Sequence, residues 1–186
     1  MIRAGADEAG RGPLAGPVVG AAVILTESQK KHLLSSGLND SKKLPERTRE
    51  KIFAIINDIG VTWRARSASH VRIDNMNILE ASLWVMKHSI MALPHEIDHV
   101  IIDGNKTIPD LSIKQYPVVN ADALIPEVMA ASIVAKVLRD RTMKRLDALY
   151  PQYGFAKHKG YPTKEHRAAI LRYGASPIHR LSFKLI

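Results

Sequence analysis

The chain has 186 residues, 46% hydrophobic and 24% charged, which supplies one ordinary core and is too short for two comfortable ones, so a single domain over 1–186 is expected. The absence of cysteine excludes disulfides, thiolate nucleophiles and thiolate metal sites, leaves carboxylate and imidazole groups for any metal, and suits a reducing, cytoplasmic setting. A formal net charge of +9 favours encounter with a polyanion, and the lack of a signal-like amino terminus or of an apolar run near the ~20 residues that span a bilayer argues against secretion and membrane insertion.

In chain order, a short strand is expected to end near Asp7, followed by a Gly/Pro-rich turn from Gly10 to Pro17 and an apolar strand from Val18 to Leu25 that runs back as a hairpin. Thr48, Ile52, Ile55, Ile56 and Ile59 share one helical face, with Pro45 suited to the first turn and Gly60 to the stop. Val61 to Ser69 alternates as a third strand, and Leu79, Leu83, Met86, Ile90 and Leu93 define an amphipathic helix closed by Pro94. His99 to Gly104 reads as a buried strand entering a turn, and Ile113 to Val119 as another strand. Pro126 opens a long helix through about Leu149, whose Ala130, Ala131, Ser132 and Ala135 permit close approach to a sheet. A polar loop containing His158 to Pro162 precedes a last helix from about Thr163 to Gly174. The alternation between the two periodicities is that of the α/β class.

Functional groups in open α/β sheets collect beyond the carboxyl ends of strands, and Asp7 and Asp103 stand at such ends. If their strands are neighbours, Asp7, Glu8 and Asp103 converge, and such a cluster is repulsive unless a divalent cation or a proton neutralises it. Hard oxygen donors favour magnesium or manganese over zinc. Taken singly, each acidic pair is also explained as an ordinary turn, and Asp122 as an ordinary residue near a helix amino end. Gly10, Gly12 and Gly16 let backbone amides approach an anion, but Gly16-Pro17-Val18 lacks the Gly-Lys-Ser/Thr ending of a nucleotide-binding P-loop.

The run Asp7-Glu8-Ala9-Gly10-Arg11-Gly12-Pro13-Leu14-Ala15-Gly16-Pro17 resembles the opening signature of the ribonuclease HII family. Asp40-Ser41-Lys42-Lys43-Leu44, Ile102-Asp103-Gly104-Asn105, Asp122-Ala123 with Ala130 to Asp140, His158 to Thr163 and Ser176 to Arg180 are similar to its later blocks, in order. The resemblance implies a ribonuclease H-like fold, a central mixed sheet flanked by helices with additional helices towards the carboxyl end. It implies a monomeric enzyme that cuts the RNA strand of RNA–DNA hybrids, and duplex DNA at embedded ribonucleotides, leaving 5′-phosphate and 3′-hydroxyl ends. Asp7, Glu8, Asp103 and Asp122 would be the catalytic residues and would hold two Mg2+ or Mn2+ ions. Gly10, Arg11 and Gly12 would meet the ribose, Lys42 a phosphate, and Tyr161 the sugar that follows the ribonucleotide. Arg11 argues against the type 3 ribonucleases H, which usually carry lysine in that turn. Asn120-Ala121 stands where Lys-Gly is common in the family, Met129 replaces a small residue and Ala175 a proline; the first change removes a cation close to the fourth carboxylate. His158 and His179 lie in family-like blocks without an assigned role.

Overall fold

The computed structural model describes residues 1–186, built around a five-stranded sheet in the order β3-β2-β1-β4-β5. The strands are β1 (Arg3–Ala9), β2 (Val18–Ile24), β3 (Thr62–Ala68), β4 (His99–Asp103) and β5 (Lys114–Val118). β1 pairs antiparallel with β2, and β2 with β3, whereas β4 lies parallel to β1 and β5 parallel to β4. The sheet is therefore mixed, as the family resemblance implies, and β1 is its central strand.

Seven helices surround it: α1 (Glu27–Ser35), α2 (Glu46–Asp58), α3 (His70–Met76), α4 (Ile78–Met91), α5 (Pro126–Leu149), α6 (Phe155–His158) and α7 (Lys164–Tyr173). α4 covers one face, where Leu83, Met86 and Ile90 pack on Ala4, Ala6, Val100 and Ile102. α5 covers the other, with Ala130, Ile133, Val134 and Val137 packed against Val19, Ala21 and Val23 and against Ile52 and Ile56 of α2. Both helices lie close because the sheet offers glycine at the crossing points. A Cβ on Gly5 would stand 2.5 Å from the Glu127 and Val128 backbone of α5, and one on Gly20 would stand 2.8 Å from the Val85 carbonyl carbon of α4. The carboxyl-terminal helices enclose a smaller core of Leu14, Met143, Tyr153, Phe155 and Ile170. No helix is long and apolar enough to cross a membrane.

Three helices differ from the periodicity reading. α1 and α3 each bury a single side chain, Leu33 and Ile73, so their polar sequences carry no apolar stripe. Their starts are nevertheless built by local chemistry, a Thr26–Gln29 capping box and a Ser69 hydroxyl that accepts from the Arg72 amide. The supposed polar loop at His158 to Pro162 begins inside α6, and His158, Lys159 and Gly160 are buried. β1 also continues past Asp7 to Ala9 because β2 pairs with it to that point.

Candidate metal centre and nucleic-acid cradle

The parallel pairing of β1 with β4 stops at Ala6–Ile102, so Asp7 and Asp103 are the next residues on adjacent strands. Asp122 arrives from a single 3-10 turn, Ala121–Ala123, that follows Asn120 in the left-handed conformation (φ 59°), a backbone state asparagine tolerates better than most residues. The Asp122 amide donates to Asp103 Oδ1 at 3.4 Å, which ties the turn to the strand end. Carboxylate oxygens of Asp7, Asp103 and Asp122 all lie within 4.8 Å of one another.

Glu8 is not part of this group of three. Its carboxylate meets Arg11, whose Nη1 is 3.5 Å away. It still lines the same cavity, of about 270 Å³, with Asp7, Asp103, Lys42, Gly12 and Tyr161. A roomier cleft of about 510 Å³ lies around Arg3, Lys30 and Glu127. Its buried acid is already paired with both cations, at 3.0 and 2.9 Å, so chemistry rather than size distinguishes the two.

Burial, reinforced by the charges of Glu8 and Asp103, pushes the Asp7 carboxyl well above the usual range. Burial also raises Asp103, where the Asp122 charge adds to it, and raises Glu8, where Arg11 opposes the shift. Two groups from α5 and the loop after α1 steady the cluster. Ser132 lies beside Asp7 in the cavity wall, where it opposes the upward shift, and meets the Ser41 hydroxyl at 2.8 Å. Lys42 Nζ donates to Asp122 Oδ2 at 2.7 Å; burial pulls its ammonium down, but the hydrogen bond and charge of Asp122 outweigh that and the net shift is upward. Lys42 thus supplies a cation beside Asp122, where Asn120 lacks one.

Tyr161 is 40% exposed and its ring lies beside Gly12, with Lys136 Nζ and Arg139 Cζ each 5.9 Å from its centroid. Sequence reasoning left His158 and His179 without roles and passed over His166, yet the three form a buried chain whose tautomers follow from their partners. The Gly160 amide donates to His158 Nδ1, so His158 Nε2–H donates to the Tyr153 carbonyl. The Ser176 amide donates to His179 Nδ1, His179 Nε2–H to His166 Nε2 at 3.0 Å, and His166 Nδ1–H to the Tyr161 carbonyl at 2.9 Å. Burial holds His166 down at about 4 and lowers His179, so this hydrogen-bonded pair stays neutral and fixes the Tyr161 backbone. Of the residues that depart from the family pattern, Met129 packs in the α5 core and Ala175 is exposed.

A family model described as Ribonuclease HII matches residues 4–186. Among curated proteins, a ribonuclease HII of Acinetobacter baylyi is 49% identical over 180 residues, covering 97% of this chain and 93% of its own. Among solved structures, the ribonuclease H2 of Pyrococcus horikoshii superposes with a TM-score of 0.82 at 29% identity, covering 100% of this chain and 95% of its own. A type 3 enzyme, Bst-RNase HIII in complex with Mn2+, gives 0.79 at 18% identity and covers 100% of this chain and 68% of its own, a likeness of fold. The family match over nearly the whole length, with close to half of all positions shared with a relative, places this chain in the ribonuclease HII family.

Proposed function

We propose that the chain is a metal-dependent endonuclease that hydrolyses the RNA strand of RNA–DNA hybrids and cuts duplex DNA on the 5′ side of embedded ribonucleotides, leaving 5′-phosphate and 3′-hydroxyl ends. The observation that carries this reading is the convergence of Asp7, Asp103 and Asp122 within 4.8 Å beside a glycine turn and a lysine. The donor set is all hard oxygen, and neighbouring carboxylates add to burial in raising Asp7 and Asp103, so the residues fit Mg2+ or Mn2+ better than zinc. Asp7, Asp103 and Asp122, with Glu8 at the margin, would hold two such ions, which supply Lewis-acid stabilisation and an activated water for phosphodiester hydrolysis.

The chain's own residues do the rest. The Glu8 amide donates to Asp7 Oδ1 at 2.7 Å and fixes the Asp7 carboxylate, with Ser132 beside it in the cavity wall. Lys42 is placed to move from Asp122 to a substrate phosphate, because its side chain is 72% exposed. The Gly10-Arg11-Gly12 turn faces the 2′-hydroxyl, the one chemical feature that marks a ribonucleotide inside DNA, and the Tyr161 ring stacks on the sugar that follows it. The reading extends to an enzyme that acts as a monomer in the cytoplasm.

The test is cleavage of a duplex bearing one ribonucleotide. Excess chelator should abolish it, and Mg2+ or Mn2+ should restore it where Zn2+ does so poorly. Full cleavage in chelator would sink the metal-dependent reading. A protein that binds the duplex but never cuts it with either metal would be a binding module that keeps only the fold.

A further inference from the structure

Two guanidinium groups, Arg139 and Arg180, are completely buried behind the glycine turn, and neither has a carboxylate within salt-bridge distance. A buried cation without a counter-charge is expensive and needs its donors fully engaged. Arg180 spends them on carbonyls from both ends of the turn: Nη2 donates to Gly10 at 2.7 Å and Pro17 at 3.2 Å, Nη1 to Arg11 at 3.0 Å and Nε to Gly16 at 3.0 Å. Its own backbone is pinned to the same turn, since the Arg180 amide donates to Leu14 and the Gly16 amide to Ile178.

The consequence follows from peptide geometry. The Gly10 carbonyl and the Arg11 amide belong to one peptide unit, and the Arg11 carbonyl and the Gly12 amide to the next. No peptide bond in the chain is cis, so with both carbonyls drawn towards Arg180 both N–H groups point away from it. Neither amide has a hydrogen-bond partner within the chain, and both residues line the carboxylate cavity. A cation on each carbonyl also polarises its peptide and strengthens the N–H at the other end as a donor.

We propose that Arg180 is a positioning residue: its guanidinium orients and primes the Arg11 and Gly12 amides as a paired donor for an oxygen of the substrate strand at the ribonucleotide. This rests on the ribonucleotide-cutting reading above. Arg139 donates to the Ala15 and Pro17 carbonyls but to neither Gly10 nor Arg11, and its Nη1 is buried without a partner, so it serves as the control for loss of a buried guanidinium that does not hold those two carbonyls.

The experiment compares Arg180→Lys and Arg139→Lys with the wild-type holoenzyme. It measures kcat/KM on a duplex with one ribonucleotide, and the inhibition constant of the same duplex made wholly of DNA. Loss of one charge-assisted donor pair predicts a fall in kcat/KM of about 10- to 100-fold for Arg180→Lys, with the inhibition constant of the all-DNA duplex unchanged. Arg139→Lys should lower the melting temperature without that split. In parallel, the Arg11 and Gly12 amide resonances of the metal-free protein should move upfield in Arg180→Lys, and in the wild type the Arg180 guanidinium protons should exchange slowly, a measurement that needs no variant to fold. Equal losses in the two variants, a parallel loss of all-DNA binding, unmoved Arg11 and Gly12 resonances, or fast guanidinium exchange in the wild type would each overturn the proposal. Failure of the wild type to cut at a ribonucleotide would instead overturn the function it rests on, leaving the resonances to decide the role of Arg180.

Discussion

Asp7→Asn should make the metal-free protein more stable and the metal-loaded protein less so. The change is nearly isosteric at a side chain 3% exposed, and the remaining carbonyl oxygen can still accept from the Glu8 amide. What it removes is charge. At a pH above the folded-state values, where both carboxylates are ionised, two unit charges within 4.8 Å repel by at least roughly 3 kcal/mol at an effective dielectric constant of about 20. Asp103 is half-buried, so solvent screening brings the expected relief to about 1–2 kcal/mol, or roughly 2–8 °C in melting temperature for a chain of this size. The pH dependence has a definite sign. Asp7, Glu8 and Asp103 have raised folded-state values, so above about pH 4, where the unfolded chain has released these protons, the folded state still holds them. Metal-free wild type is therefore most stable at the acid end of that window and loses stability as pH rises through the folded-state values; Asp7→Asn flattens the slope. Metal inverts the ranking, because ligand at a hundred times its dissociation constant adds about 2.7 kcal/mol to a protein that binds it. Thermal unfolding of both proteins in chelator and in excess Mg2+, across pH, reads all of this. A variant less stable than wild type in chelator, or one that keeps the full metal-induced shift, would refute the over-charged cluster.

Tyr161→Ala should impair cleavage at a single embedded ribonucleotide more than cleavage of a continuous RNA–DNA hybrid, since the lost contact reports the RNA-to-DNA step; equal losses would leave the ring as packing beside Gly12. Lys42→Ala should reduce the slope of log affinity against log salt by about 0.9, the value for one phosphate contact on a duplex. An unchanged slope would confine Lys42 to its ion pair with Asp122. Gly5→Ala should cost about 1–3 kcal/mol by denaturant titration, because its methyl would meet α5 backbone at 2.5 Å and backbone cannot rotate away. An unaltered denaturation midpoint would show that α5 has slack against the sheet.

The long elements are legible because their patterns are strong: the sequence predicts α5 from Pro126 to about Leu149, and the helix spans Pro126–Leu149. Asp7 and Asp103 could be singled out because strand ends expose side chains. That they are neighbours depended on β1 pairing with β4, which no local pattern states. Adjacency in sequence puts Glu8 beside Asp7 on the same cavity, while the approach of Asp122 depends on the turn at Asn120, which its local sequence alone does not reveal. α1 and α3 escaped because each buries one residue, although the Thr26–Gln29 capping box was there to be read. The histidine chain was beyond reach for another reason: His158, His166 and His179 gain meaning only from partners that a polar-looking stretch conceals. Ser132 and Lys136, four apart on α5, do share the face that lines the cavity, a spacing that could have drawn attention to both.

The hydrogen bond from Arg180 to Gly10 spans 170 residues, so the turn beside the carboxylates is completed by a segment made long after it. Closing so long a loop is entropically slow, and nothing nearer in sequence donates to the Gly10 and Arg11 carbonyls. A chain on the ribosome with residue 180 still held in the exit tunnel lacks these donors, so its substrate turn should stay unlatched. Stalled chains of that length should be unable to cut at a ribonucleotide, and activity in them would show that the turn sets without its latch.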